Sequence, residues 1–472
     1  MAYLCGDHIS VPTRSRGSVG LANRNGLGSR IESHELTLAH RTAVVAVFSL
    51  LSVPAFGQSN TTTENGVTTT TQENVSFATT LTALTRAAGA VELGNGLNLV
   101  TALAVAGAPL PAAPGGMNFK LDPTTGLEVR SSSTFGPSFA ERAITAGAGK
   151  FNVTGSLMAA TYDRLDKMPL DRLELVNQVS RSNSPFVNQK GIVSLAITSQ
   201  TTLIQAVMGA TNFLDVAVVV PIVRLKVQGI GWTQNANFRL PLGAGPNTPA
   251  TPDILTRAAG GGISTGIGDV AVQGKLRLLK FGKKPAPDAP IQPDPGGFAI
   301  VETVRLPTGS KENLRGLGVT RALSTLVFSA GKGKFKPHGS VGYEFWDKGI
   351  DVVSGFAPTV TARNAFEFGF GFELAAAPKL TLLLDMTSRQ INGGGKIGFM
   401  TVQNPSPIQA PDVSARTFPQ ALGEGLLKQS IIPGLKWNLM GKFLLSLNGI
   451  VTIRDNGLYD KFTPVIGLDW SF

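Results

Sequence analysis

The chain is short of the residues that chemistry most often needs. It carries one cysteine and four histidines in 472 residues. Cys5 precedes the cleavage point argued below, so the mature chain has no thiol. That excludes a disulfide framework and a thiolate metal site. His338 is the sole histidine beyond that point, which excludes a clustered-histidine metal centre and the HExxH pattern. Charge is scarce too: 15% of residues are charged, against about 25% in ordinary soluble domains. No run of about 18 apolar residues occurs, which excludes a helical membrane protein. Yet mean hydropathy is positive, +0.13, too apolar for a chain disordered throughout. Apolar character without long apolar runs points to alternating strands.

The net charge of +11 is spread along strand-like segments rather than gathered into a patch or tail, so no nucleic-acid partner is expected. Thr42 to Phe56 is an apolar run of about 15 residues behind His40 and Arg41, the size of a signal-peptide core. Ala55-Phe56-Gly57 supplies the small residues of a cleavage site, placing the cut before Gln58. Residues 1–57 are therefore read as an upstream extension and signal peptide. Residues 58–142 form an N-terminal segment. Its Thr/Asn-rich stretch Ser59–Glu73 reads as disordered. Its Ala/Leu-rich stretch Leu81–Ala106 reads as one or two short helices ending at Pro109 and Pro111. A plug, a periplasmic lead-in and a mobile linker all fit this segment.

From about Lys150 the hydrophobic period becomes two. Phe366, Phe368, Phe370, Phe372 and Leu374 share one strand face, opposite Glu367, Gly369, Gly371 and Glu373. Leu380, Leu382, Leu384 and Met386 oppose Thr381, Asp385, Thr387 and Arg389. The same alternation recurs around Val270–Leu278, Phe443–Ile453 and Phe462–Phe472. These segments reach about ten residues, the length a tilted membrane strand needs. Trp232, Trp346, Trp437 and Tyr459 lie at strand ends, where an interfacial girdle would sit. A bare backbone amide in lipid costs several kcal/mol, so such strands must close on themselves. About twelve candidates can be counted, an even number as single-chain barrels require. Short joins (Thr211-Asn212, Ala377-Pro378, Leu439–Gly441) alternate with long ones (Gly229–Gly266, Asn392–Leu426). In Phe298–Leu306, Glu302 shares the face of Phe298, Ile300 and Val304, which implies a bulge or a place near an interface.

Several motifs resemble the bacterial outer-membrane transporter family named for the MetA pathway of phenol degradation. They are Phe135-Gly136-Pro137 with Phe139–Ala143, Leu214–Pro221, Gly266–Val270 with Lys275, Leu306-Pro307-Thr308-Gly309, Pro337-His338, Gly342-Tyr343-Glu344 and the terminal Gly467–Phe472. Together they span residues 135–472. The resemblance implies a membrane barrel distantly similar to long-chain fatty acid transporters, and small, hydrophobic or aromatic solutes.

On the assigned parity the lumen is lined by Asp215, Asp269, Lys275, Arg277, Arg305, His338, Glu344, Glu367, Glu373, Asp385, Arg389, Lys436, Lys442 and Arg454. The signs are mixed, so ion pairing across the bore and a polar substrate path both fit. His338 and Ser340 share a lumen face and read as lining residues rather than a catalytic pair. Gly260–Gly268 lacks GK[ST], so it reads as a glycine-rich loop rather than a phosphate site. Ile466, Leu468, Trp470 and the terminal Phe472 form the aromatic end signal read by barrel-assembly machinery. Pro221 and Pro433 fall inside apolar strands and should mark a bulge, a strand end or a local opening, since proline gives no ladder donor.

The sequence thus predicts an all-β protein: a closed antiparallel up-and-down transmembrane β-barrel of about 12 strands over residues 143–472. It is expected in a bacterial outer membrane, in contact with its lipids, passing small apolar solutes by passive diffusion. No catalysis, metal or cofactor is expected. The rivals are a structural or loop-binding barrel without transport, and a secreted soluble β-sandwich binding module.

Overall fold

The computed structural model describes residues 59–472 apart from 65–66, 74–75, 92, 114–118, 122–127, 131, 181–186, 236–253, 283–291, 332, 353–358, 404–412 and 455. The signal peptide and the proposed cut lie outside the described residues. Twelve antiparallel strands close a barrel. They are β1 (Phe151–Tyr162), β2 (Val187–Gly209), β3 (Leu214–Asn235), β4 in two pieces (Ile254–Ile267 and Ala271–Lys280), β5 (Gly296–Arg305), β6 (Arg321–Ala330), β7 (Phe335–Trp346), β8 (Val360–Ala377), β9 (Leu380–Asn392), β10 (Leu426–Met440), β11 (Phe443–Thr452) and β12 (Phe462–Ser471). Each pairs with the next, and β12 returns to β1 with Leu468 opposite Gly155. Among the described residues no edge of the barrel is left for lipid to strip of hydrogen bonds, which removes the soluble sandwich from consideration.

The wall alternates as its period demands. Phe366, Phe370, Phe372 and Leu374 of β8 are exposed on the outside, while Gly369, Gly371 and Glu373 are buried on the inside. Leu326, Phe328, Val341, Phe345, Leu382, Ile466 and Leu468 continue the apolar exterior. At the Phe472 end, Phe443 stacks on Trp470 at 5.4 Å, and Phe472 packs on Phe151. This is a partial aromatic girdle. Trp437 also faces outward there. Trp346 and Tyr459 do not: both are buried, and Trp346 donates its indole N–H to Glu344 at 2.9 Å. Their apolar bodies fill the interior instead. Glu302 faces outward without a bulge in its strand and accepts a hydrogen bond from Ser324 on β6.

Joins at the Phe472 end are short at 210–213, 331–334, 378–379 and 441–442, with 281–295 the exception. The opposite end holds the long connections. There, three expectations fail. Gly229–Gly266 is not a loop, because β3 continues to Asn235 and β4 begins at Ile254, and Gly260–Gly268 is mostly strand. Ser59–Glu73 forms a hairpin whose Val67–Glu73 strand lies parallel to Thr256–Gly261. Its threonines are β-branched and favour extended backbone.

Above the lipid band the polarity of β3 inverts. Val223, Leu225 and Val227 are buried on the inside, while Arg224, Lys226 and Gln228 are exposed. The cause is a pair of helices packed within the barrel mouth, α1 (Phe77–Ala87) and α2 (Leu93–Ala106). Ser76 caps α1 by accepting from the Thr79 amide at 3.3 Å. Most residues of α2 are buried, as befits a helix apolar on nearly every face. α1 lies against bare backbone: a Cβ at Gly231 would meet the Leu84 carbonyl oxygen at 2.0 Å, and one at Gly191 the Ala88 oxygen at 1.8 Å.

Candidate functional site: the occupied lumen

Beyond α2, the stretches 107–113 and 132–146 lie in the barrel interior ahead of β1. The inward-facing charges meet this segment rather than open water. Asp385 on β9 accepts three successive backbone amides through one carboxylate oxygen: Ser138 at 3.1 Å, Phe139 at 3.1 Å and Ala140 at 3.3 Å. Its other oxygen is 2.9 Å from His338 Nε2. Glu373 on β8 accepts the Gly136 amide at 2.9 Å and pairs with Arg142 at 3.3 Å. Lys436 donates to the Pro137 carbonyl at 2.7 Å. Lys275 pairs with Glu141 at 2.5 Å, and Asp215 accepts the Ala146 amide at 2.8 Å. Phe135–Ala146, which contains one of the motifs noted above, is thus held by charges from β3, β4, β8, β9 and β10.

A second cluster grips the C-terminus of α2. Arg305 and Arg321 both donate to the Ala106 carbonyl at 3.3 Å. The last carbonyls of a helix carry partial negative charge, so paired guanidinium groups suit them. Arg321 also contacts Asp269 at 3.1 Å and Glu344 at 3.7 Å. Arg389 pairs with Glu344 and, at 2.9 Å, with Glu367. Dry charges are costly to bury and demand such multiple partners. Asp269 additionally accepts the amides of Gly309 and Leu317, both at 3.2 Å.

Two motifs meet where β4 breaks. Between Ile267 and Ala271 the ladder with β3 lapses beside Pro221. Thr308 bridges the gap, donating to the Gly268 carbonyl at 2.7 Å and accepting the Val270 amide at 2.9 Å. Pro221 therefore marks a sealed break. Pro433 differs. The β10–β11 ladder pairs Ile431 with Val451 and next Gly434 with Asn448, so Ile432 and Pro433 have no partner on that side. Pro433 faces outward.

Between the threaded segment and the wall lie two cavities, of about 210 Å³ and about 130 Å³. Gly107, Pro109, Lys428, Ser430 and Ile450 line both. Nearby, Met158, Leu203, Val219, Ile432, Ile450 and Val465 form an apolar ring packed on Ala108, Leu110 and Phe139. The interior is thus partly apolar, not uniformly wet.

Of the predicted lumen residues, Asp215, Asp269, Lys275, Arg305, His338, Glu344, Glu367, Glu373, Asp385, Arg389 and Lys436 lie on the inner side of the wall. Arg277 is bound near the Phe472 end by Asp294, with two contacts of 2.7 Å. Lys442 is an exposed turn residue between β10 and β11, not a lumen residue, because the strand ends at Met440. Arg454 lies just past β11, exposed, donating to Gln429 at 3.0 Å. Sequence reasoning missed Glu141 and Arg142, which lie in no strand and so have no parity. It also missed Arg321 and Lys428, which share the inner face with Leu323 and Ser430.

No family model and no curated protein matches the chain, so the phenol-degradation resemblance rests on the motifs alone. Solved structures that overlap the barrel include an outer-membrane channel of Pseudomonas putida F1, at 10% identity, 70% of this chain, 98% of that chain and TM-score 0.39. The Ralstonia pickettii toluene transporter TbuX overlaps at 11% identity, 69% of this chain, 90% of that chain and TM-score 0.30. A Pseudomonas aeruginosa FadL homologue does so at 9% identity, 68% of this chain, 89% of that chain and TM-score 0.29. Overlaps this loose carry nothing about solutes. The location follows from the barrel itself: a closed antiparallel barrel with an apolar wall and long loops at one end is the form of bacterial outer-membrane proteins, and the chain resides there.

Proposed function

We propose that the barrel is a passive conduit for small hydrophobic or aromatic molecules, with residues 107–113 and 132–149 as its plug. The observation that carries this reading is the pair of cavities between plug and wall, part-lined by Leu110, Phe139, Met158 and Ile450. Such mixed apolar pockets with a few polar groups are what small-molecule sites look like. The unpaired stretch at Pro433 is the proposed side exit: Ile432 and Ile450 lie on its inner side, and Asn448 beside it accepts from the plug residue Ser138 at 2.8 Å. The outward Ile466, Leu468, Trp470 and Phe472 are proposed as the assembly signal.

A plug held by so many charges also suits a structural barrel that transports nothing, and one assay separates the two readings. Proteoliposomes whose outer leaflet is lipopolysaccharide slow apolar solutes enough for protein-dependent entry to be timed. The conduit reading predicts faster entry of a labelled phenol-like solute but not of a sugar, and slower entry for Pro433→Val. Entry no faster than in empty vesicles leaves the structural barrel.

A further inference from the structure

The two cavities share one cation that no side chain pairs with directly among the described residues, although Asp166 lies within its electrostatic reach. Lys428 on β10 lines both, and it has no hydrogen-bond or ion-pair partner among the described residues. Its cross-strand partner is Arg389, so two cations stand directly opposite each other inside the barrel. Like charges in that position are destabilising. Arg389 has its counter-charges in Glu344 and Glu367. The other anions facing the cavities are also engaged. Glu141 pairs with Lys275, and Asp460 accepts the Thr161 and Phe462 amides and the Thr463 hydroxyl. Arg454, which lines the second cavity, meets only the neutral Gln429 side chain. Four cations (Arg305, Arg389, Lys428 and Arg454) and three anions (Glu141, Glu367 and Asp460) line the two cavities, so the lining carries one positive charge in excess, and apolar surface from Leu110, Phe139 and Ile450 lies alongside it.

We propose that this space takes an organic anion, a small aromatic or short aliphatic carboxylate. Its carboxylate pairs with the Lys428 ammonium and its apolar body lies against Leu110, Phe139 and Ile450. The proposal rests on the conduit reading and narrows it: the preferred solute is the acid rather than the neutral hydrocarbon. An uncharged solute would leave Lys428 unpaired, whereas a carboxylate supplies the counter-ion its position lacks.

The test uses the full mature chain with two near-isosteric probes, benzoate and benzyl alcohol. Binding is read by calorimetry in detergent, and entry in the lipopolysaccharide-faced vesicles. Wild type is expected to bind benzoate at least roughly tenfold more tightly than benzyl alcohol, about 1.4 kcal/mol. Lys428→Gln is expected to erase that preference by weakening benzoate, and Lys428→Arg to keep it. Heat-modifiable gel migration verifies that each variant is folded, and Lys442→Gln in the exposed turn serves as the charge control. Equal binding of both probes by wild type, or an unchanged preference in Lys428→Gln, overturns the proposal while leaving the conduit intact. Entry of neither probe removes the conduit reading itself.

Discussion

Asp385 is the point at which the plug can be loosened by one atom. Asp385→Asn keeps the shape of the side chain but replaces a carboxylate with a neutral amide. In the native barrel one oxygen receives the amides of Ser138, Phe139 and Ala140. Hydrogen bonds to a charged group contribute about 1.5–3 kcal/mol each. Three donors crowd one oxygen here, so about 1 kcal/mol of charge-dependent stabilisation per donor is the safer figure, about 3 kcal/mol in all. At 1.4 kcal/mol per tenfold, local opening of the segment should become about a hundredfold more frequent. Hydrogen exchange followed by mass spectrometry reads this directly. The peptide containing residues 138–140 should exchange about a hundredfold faster in the variant, while the peptides of β8 and β1 keep their rates. If exchange over 138–140 is unchanged in a folded Asp385→Asn barrel, the carboxylate does not hold the plug, and the reasoning fails.

Gly231→Ala should lower thermal stability by about 1–3 kcal/mol, since its methyl would press on the α1 backbone; an unchanged melting temperature would show that α1 is not seated on β3. Burial pushes the Asp294 carboxyl up, but the hydrogen bonds from Arg277 and the Gly296 amide outweigh it and hold the group below its usual range. A depressed carboxyl stabilises the fold above the ordinary carboxylate pKa and loses that contribution as pH falls through the lowered value. A thermal-melt series from neutral to acid pH should therefore show an acid-side loss that is smaller in Asp294→Asn; superimposable profiles would contradict this.

The wall was legible because side chains on a strand alternate with a period that lipid and lumen enforce. Phe366 to Leu374 could be read as one outer face without any partner strand. The same rule failed above the lipid band. In β3, Val223 to Val227 point inward because α1 and α2 fill the mouth, so buried and exposed faces exchange roles. Around Gly260 the small residues give no pattern to read. Trp346 misled because an aromatic at a strand end suits an interface or a core, and only the position of Glu344 decides which. The inward charges were legible from parity, but their partners were not. Glu141, Arg142 and the amides of residues 136–140 belong to an irregular segment whose course no periodicity records.

The wall's orientation is open to a direct check through tryptophan. Trp437 projects outward and is 49% exposed, whereas Trp346 is 8% exposed and turned inward. In single-tryptophan variants reconstituted into brominated lipid, fluorescence from Trp437 should be strongly quenched and that from Trp346 should be nearly untouched. Equal quenching of the two, or none at Trp437, would contradict a barrel whose outer face meets lipid and whose inner face grips its own N-terminal segment.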